Sequence, residues 1–558
     1  MFKKFETSVL NVLQNKNKKR LVLLLTLLSF ILSVLMIPTE LVLAKMLPGK
    51  NNDTFNIYVD LPSGSSISQT SHVTDCVIKH IQKEKEVLDT ELFLGMGSPL
   101  DFAGLIKGSH FKNSENLAEI VLNLSKKHHR DEPSYLMVQR MRKAITNDCE
   151  NIYTGTSIKF VEPPAGPPVM AAIVAEIYGP EAEGIRLLAQ RVEKVFKDTP
   201  GLVDIDIMQD DIYDRFEVRV NSIKIARSGL NVKQVNDILY LAFEGMEVSV
   251  KNSDVYDDQI PIFLTLSHET KEFSSKSKTA IEAKLASLKL MNTQGMMVPI
   301  TEIVTVIGVK SNPMIMSKNL HQMTNVMAET DMLSQVYPLM DARNVILNTF
   351  TDAYKISKIG LFNLELEDKN THKIYKLIWD GEMEVTLDTF VDLGSAFIAA
   401  LVLIFLLMVV YYKSFKLSGI VLLGSFLSII GVIVGHFIMD IFSSDTFFLT
   451  ATSLVGFIAL IGISSRNSLL LLDFTKSLIL DKKMEQKKAI AYATATRAKP
   501  IFLTAVAIIL ASTLLASDAV FGGLGVALIF GTIAAVVASL IVVPVLMDNT
   551  DLKKELNH

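Results

Sequence analysis

The sequence predicts an α-helical membrane protein that carries a large folded α+β region on one side of the bilayer. Three observations lead there. Of the 558 residues 49% are hydrophobic, too apolar for an ordinary soluble chain of this length. Much of that apolar content is gathered into runs long enough to cross a bilayer as helices, one near the N-terminus and a block after residue 390. The stretch between them twice begins the same strand and helix periodicity.

The apolar runs predict six spanning helices, at about Leu21–Ile37, Leu393–Tyr412, Leu417–Met439, Phe447–Leu472, Ile501–Ala516 and Leu524–Met547. The first follows the basic cluster Lys16, Lys18, Lys19 and Arg20, as a signal peptide would. No small-x-small cleavage site follows it cleanly, so an uncleaved anchor is expected. Positive charge on alternate loops sets the orientation. The N-terminal cluster, Lys413 with Lys416, and the basic stretch from Lys476 to Lys499 mark the cytoplasmic side. The turns Asp440–Thr446 and Ser517–Gly523 carry acids and no Lys or Arg. Residues from about Pro38 to Val391 are therefore expected outside the cytoplasm.

Within that segment, Phe55–Leu61 reads as a strand and Ser66–Lys83 as a helix with Ile67, Thr70, Val73, Val77 and Ile81 on one face. Glu91–Leu94 and Leu117–Leu124 read as strands, Ser134–Asp148 as a helix and Ser157–Val161 as a strand. That order is the ferredoxin-like βαββαβ unit. The run Pro163-Pro-Ala-Gly-Pro-Pro168 ends it, since so many prolines continue neither strand nor helix. The pattern restarts with strand Val169–Tyr178, helix Glu181–Asp198, a strand alternating at Val203, Ile205 and Ile207, strand Arg215–Val220 and helix Asn231–Phe243. Residues 246–312 read as an insertion before the pattern resumes near Met314–Thr330.

Several function classes fall away. The net charge of −4 gives no basis for a nucleic-acid partner. No G-x-x-x-x-G-K-[ST] loop is present to cradle a nucleotide phosphate. Cys76 and Cys149, the two cysteines, are too few for a zinc cluster or a disulfide framework and are expected as unpaired buried thiols. Met137, Met141, Met170, Met291, Met296 and Met297 read as core or as an adaptable apolar surface rather than as metal ligands.

One residue stands out. Arg466 is the only charge in the apolar run from Phe447 to Leu472. A guanidinium at bilayer depth costs at least ~2.5–3.5 kcal/mol, so it calls for a counter-charge. The chain offers none at that depth. Asp473 lies two helical turns on, about 10 Å along the axis, at the cytoplasmic edge. Asp392, Asp440 and Asp518 lie at the opposite boundary. Arginine stays protonated, so Arg466 can balance a proton site but not carry the proton. His436, in the third run, reads as the source of an interhelical hydrogen bond.

Specific strings give this pattern a likeness. Asn56-Ile-Tyr-Val-Asp60-Leu-Pro-Ser-Gly64 with Thr70, Gly166-Pro-Pro168, Ile177-Tyr-Gly-Pro180, Pro200-Gly-Leu-Val-Asp204, Phe216-Glu-Val-Arg-Val220, Gly229-Leu-Asn-Val232 and Glu244-Gly245 are similar to the external domains of resistance-nodulation-division (RND) efflux permeases. Gly462-Ile-Ser-Ser-Arg466-Asn467-Ser-Leu-Leu-Leu-Leu-Asp473-Phe474 and Arg497-Ala-Lys499-Pro500-Ile-Phe-Leu-Thr504 resemble the fourth and fifth helices of the C-terminal half of the acriflavine-resistance, drug-exporting type.

The resemblance implies a domain order. Residues 1–38 hold a cytoplasmic segment and the first helix, 39–165 a first porter subdomain, and 166–245 with 313–390 a second. Residues 246–312 form a docking subdomain, 391–547 the remaining five helices and 548–558 a cytoplasmic tail. Family members have two such halves, and the match is to the second. In it Arg466 takes the place of a lysine that pairs with two proton-binding aspartates of the first half. Asn467 stands beside it, and Arg497 and Thr504 take the other relay positions. Heavy-metal exporters carry a carboxylate at the position of Arg466, which speaks against metal as cargo.

The implied protein is not an enzyme and uses no cofactor beyond a proton gradient. It would sit in a bacterial inner membrane with its large domain in the periplasm and export drugs or other amphiphiles. Its implied partners are a separate chain with the first six helices and their acids, in a trimer of heterodimers, and a periplasmic adaptor with an outer-membrane channel. The substrate cleft would lie between the porter units near residues 93–118 and 295–300. Alternatives are a non-transporting scaffold or regulatory half, or a metal- or lipid-exporting relative.

Overall fold

The computed structural model describes all residues except 1, 50, 101, 110–111, 128, 164–165, 167–168, 256–257, 272, 274–276, 332–333, 444–445, 519, 553–554 and 556–558. Most of the proline-rich run 163–168, and parts of the turns 440–446 and 517–523, thus lie outside the described residues. The chain divides into two compact units, Asp210–Met314 and everything else.

The larger unit opens with a short helix over Phe2–Gln14, continues as helix α1 (Lys16–Leu35) and enters its first sheet at β1 (Thr54–Asp60). There follow α2 (Ile67–Ile81), β2 (Val87–Met96), β3 (Asn113–Leu124), α3 (Ser134–Cys149) and β4 (Ser157–Val161). The strands pair antiparallel in the order β2-β3-β1-β4, the ferredoxin-like arrangement. Alternation makes the core: Phe55, Ile57 and Val59 from β1 meet Val73, Val77 and Ile81 from α2 and Met137, Met141 and Ile145 from α3. Helix α2 starts at a capping box in which the Ser66 and Gln69 side chains and backbones satisfy each other.

The second sheet holds β5 (Ile173–Tyr178), then α4 (Ala182–Asp198) and β6 (Leu202–Ile207). The chain leaves for the smaller unit and returns as β7 (His321–Thr330), α5 (Val336–Thr349), β8 (Tyr354–Ile359), β9 (Asn363–Asp368) and β10 (Ile374–Asp380). The order β10-β5-β7-β6 repeats the ferredoxin-like pattern, with β9 and β8 added beyond β10. The interruption therefore falls between the second and third strands and spans Asp210–Met314. The sequence places it later, at 246–312, and assigns Arg215–Val220 and helix Asn231–Phe243 to the second sheet.

The correction has a physical reason. Arg215–Val220 lies within a strand whose partner is Val304–Lys310, inside the smaller unit. Helix Val232–Phe243 sends Val235 into a core with Ile225, Leu285, Ile300 and Val306. Alternation announces a strand but not its partner.

Among the described residues five helices are long and apolar enough to cross a membrane: α6 (Glu382–Tyr412), α7 (Phe415–Phe442), α8 (Ala451–Leu480), α9 (Gln486–Ala516) and α10 (Gly522–Asp548). The sixth expected span falls in α1, which forms as a helix but carries Lys16, Lys18, Lys19 and Arg20 at its start. Its apolar part, Leu21–Leu35, is about 22 Å long, short of a ~30 Å hydrocarbon core.

Helices α6 and α9 are longer than their apolar runs. Helix α6 begins one residue after β10: Gly381 turns the chain at φ +88°, and the N–H groups of Glu382 and Met383 bond the carbonyls of Ala171 and Ala172. Helix α9 runs through Pro500 back to Gln486. Close crossings rest on small residues: a methyl on Gly431 would collide with the Phe530 carbonyl and with Ala534.

Candidate functional site

Arg466 sits near the middle of the 30-residue helix α8. Its side chain is exposed on the outside of the bundle, on a face shared with Val455, Gly462 and Leu470. A methyl built on Gly462, one turn before it, meets nothing within 4 Å. Among the described residues Arg466 forms no ion pair. Asp473 is held elsewhere: it accepts hydrogen bonds from Tyr412 at 2.8 Å and Tyr411 at 3.4 Å, both on α6. The in-chain acid nearest in sequence is thus engaged two turns away, and the mid-helix cation points outward.

The other sequence-derived positions divide. Asn467 is buried in the bundle. Its neighbour Ser464 donates to the Gly424 carbonyl of α7 at 3.3 Å, which brings α7 and α8 close. Arg497 lies inside α9 rather than at its start, half-buried, with its guanidinium 5.2 Å from the centre of the Phe474 ring of α8. Its Nε is buried without a hydrogen-bond partner among the described residues. Thr504 is exposed, and its hydroxyl bonds back to the Pro500 and Ile501 carbonyls at 3.1 and 2.9 Å.

Depth follows from helix geometry. Helices α8 and α9 run antiparallel, so seven residues from Arg497 to Thr504 climb about 10 Å and reach the level of Arg466 and Asn467. Arg466, Asn467 and Thr504 share a depth; Arg497 lies nearer the other end, beside Phe474. His436 is spoken for: with the Val432 carbonyl at 2.8 Å able only to accept, Nδ1 carries the proton and Nε2 accepts from Ser453 of α8 at 2.8 Å.

A second charged set joins the two sheets and is invisible in the sequence. Lys159 of β4 bridges Asp60 at 2.8 Å and Asp206 of β6 at 2.5 Å, and Arg142 of α3 bridges Asp204 at 2.7 Å and Asp331 at 3.6 Å. Lys107 reaches Glu329 of β7 at 2.8 Å. In each bridge between the sheets the cation comes from the first and the acid from the second. Burial opposes ionisation of Asp60, yet Lys112 and Lys159 hold its carboxyl well below the usual range.

Beside these bridges is a cavity of about 150 Å³ whose walls include Lys45, Lys107, Glu162, Glu329 and the α6 residue Glu382. Burial pushes the Glu162 carboxyl up to about 7, against the opposing pull of Arg142 and Ser134.

One sequence expectation changes here. Cys76 and Cys149 are not free thiols but a disulfide joining α2 to α3, with Cα atoms 5.8 Å apart. Residues 295–300 lie in the smaller unit, within the insertion where the sequence places them. Of the methionines, Met137 and Met141 are core, while Met291, Met296 and Met297 are exposed on a hairpin of the smaller unit.

Comparison with known proteins fits this arrangement. The chain is 23% identical to the swarming motility protein SwrC of Bacillus subtilis over 67% of its length and 32% of that protein's. It is 22% identical to the multidrug resistance protein MdtC of Proteus mirabilis over 57% of this chain and 27% of that one. It is also 22% identical to the cobalt-zinc-cadmium resistance protein CzcA of Cupriavidus metallidurans, over 68% and 33%. The crystal structure of a heavy metal efflux pump shares the fold, with a TM-score of 0.72 and 18% identity over 97% of this chain and 51% of that chain. The chain thus spans about a third of these curated relatives and half of the solved one. The AcrB/AcrD/AcrF family matches residues 1–548, almost end to end, and the chain belongs to this family of RND permeases.

Proposed function

We propose that this chain is one half of a proton-driven efflux transporter of a bacterial inner membrane, with α1 as a sixth span beside α6–α10. Arg466 is the fixed counter-ion to carboxylates supplied by a companion half. The observation that carries this is a mid-helix arginine on an outward face, with no acid paired to it among the described residues. Protonation of the companion's acid would release its hold on Arg466, and the helices would shift; one charge biasing a two-state element is the physical content of such coupling. Thr504 and Asn467 share the depth of that pair, and Arg497 lines the path toward the cytoplasmic side.

Helix α6 offers the mechanical link, because it continues from β10 through Gly381 without a loop. Unit Asp210–Met314 is the candidate for docking a periplasmic adaptor or outer-membrane channel. For cargo we favour drugs or other amphiphiles, on the strings around Arg466 and the MdtC likeness. The CzcA likeness and the heavy metal pump fold support metal cations as the second reading.

The test is export by the complete assembly. Arg466→Ala should abolish it while the chain still inserts, and retained export would refute the role. Export of an amphiphilic dye but not of zinc or cobalt separates the two cargo readings.

A further inference from the structure

The disulfide between α2 and α3 has a third residue beside it. His80 lies one helical turn after Cys76 on α2, and the two sulfurs and a His80 ring nitrogen all lie within 4.8 Å of one another. Asp148, the neighbour of Cys149, meets His80 Nε2 at 3.1 Å, which leaves Nδ1 as the other ring nitrogen. A structural disulfide needs neither the imidazole nor its carboxylate. Two sulfurs and one imidazole are the protein ligands of an open tetrahedral zinc site, and a carboxylate on the remaining ring nitrogen is the usual device for orienting a ligating histidine. Cys149 is fully buried, while Cys76 and His80 are partly accessible, so a cation has a way in.

We propose that the reduced form of this chain binds a thiophilic cation of the zinc(II) or cadmium(II) class through Cys76, Cys149 and His80, with Asp148 as the positioning residue. A dithiol reductant gives two electrons and two protons to the S–S bond and becomes a disulfide itself, leaving two thiols here. Metal uptake then replaces the two thiol protons, which leave to solvent, and water fills the fourth position. Thiolate ligands select such cations over magnesium or calcium. The site clamps α2 to α3 in either state, by a covalent bond when oxidised and by a metal when reduced. It is independent of the transport reading, since it involves neither Arg466 nor the membrane helices.

The test uses the full chain in detergent, reduced anaerobically with a phosphine and titrated with cadmium(II). The expected result is one equivalent bound, with a thiolate-to-metal charge-transfer band that the oxidised protein lacks. Cys149→Ser should abolish the band. His80→Ala should keep two titratable thiols but weaken binding at least about 10-fold, and Asp148→Asn should weaken it about 10-fold or more. Thermal unfolding of the reduced protein gives a second readout: cadmium should raise its midpoint in the wild type and not in Cys149→Ser. Absence of the band in reduced wild type, equal binding by His80→Ala, or no metal-dependent stabilisation would overturn the proposal.

Discussion

At the scale of single residues, charge in the wrong solvent is the informative signal. Arg466 belongs to a helix that lipid or protein must cover, and guanidinium chemistry fixes what it can do there. If its role is electrostatic rather than proton-carrying, Arg466→Lys should retain most export at neutral pH while Arg466→Ala retains none; a dye-efflux assay on both variants checks this. Glu162 makes a different prediction. Its folded pKa of about 7 lies above the ordinary 4.5, so between those values the folded state holds the proton more tightly than the unfolded one. Stability should therefore fall as pH rises from about 4.5 to 7, by roughly 1–3 kcal/mol. Glu162→Gln should flatten that slope in thermal unfolding. The disulfide is the third case. Replacing Cys76 and Cys149 with Ser should cost about 2–5 kcal/mol, read as a lower unfolding midpoint without loss of the membrane helices' circular dichroism.

At the scale of elements, the sharpest joint is Gly381. It holds a left-handed φ between β10 and α6, and a methyl there would lie 2.6 Å from the Ala171 carbonyl. Gly381→Ala should destabilise the chain by about 1–3 kcal/mol and reduce export more than binding. Equal stability of variant and wild type in detergent melts would show that the joint is not strained. Elements also show what one-dimensional reading can reach. All six elements of the first sheet are legible, because the strands are short runs rich in apolar residues, with Phe55, Ile57 and Val59 alternating in β1, and each helix has an apolar face. In the second sheet the first three are legible, Arg215–Val220 and helix Asn231–Phe243 are misassigned to it, and the true third strand, His321–Thr330, lies beyond the interruption from Asp210 to Met314, where the sequence shows only that the pattern resumes. Helix α9 is read short because its apolar run begins only at Ile501, after Arg497, Lys499 and Pro500. In a membrane helix the carbonyl that proline frees is tolerated, and the helix continues.

At the scale of the whole molecule, the proposal is that this chain works with a companion. Purification from cells that express both halves should recover the chain with a second polypeptide bearing mid-helix aspartates, at the mass of a trimer of heterodimers. Recovery of this chain only with itself would falsify the split arrangement. Arg466 on an outward face agrees with such a partner, and so does the exposure of Thr504 at the same depth.

The division of labour between sequence and tertiary structure follows from range. Apolar runs, alternation and a charge out of place are local, so the sequence alone determined the spanning block, the first ferredoxin-like unit, Arg466 and the want of a mid-bilayer acid to pair with it. Pairing is not local. Only the fold decided that Arg215–Val220 joins Val304–Lys310, and that Cys76 meets Cys149 across 73 residues. Only the fold set Lys159 between Asp60 and Asp206 and turned Arg466 outward. Periodicity records which face a residue takes on its own element; which element lies opposite is settled by packing among distant segments.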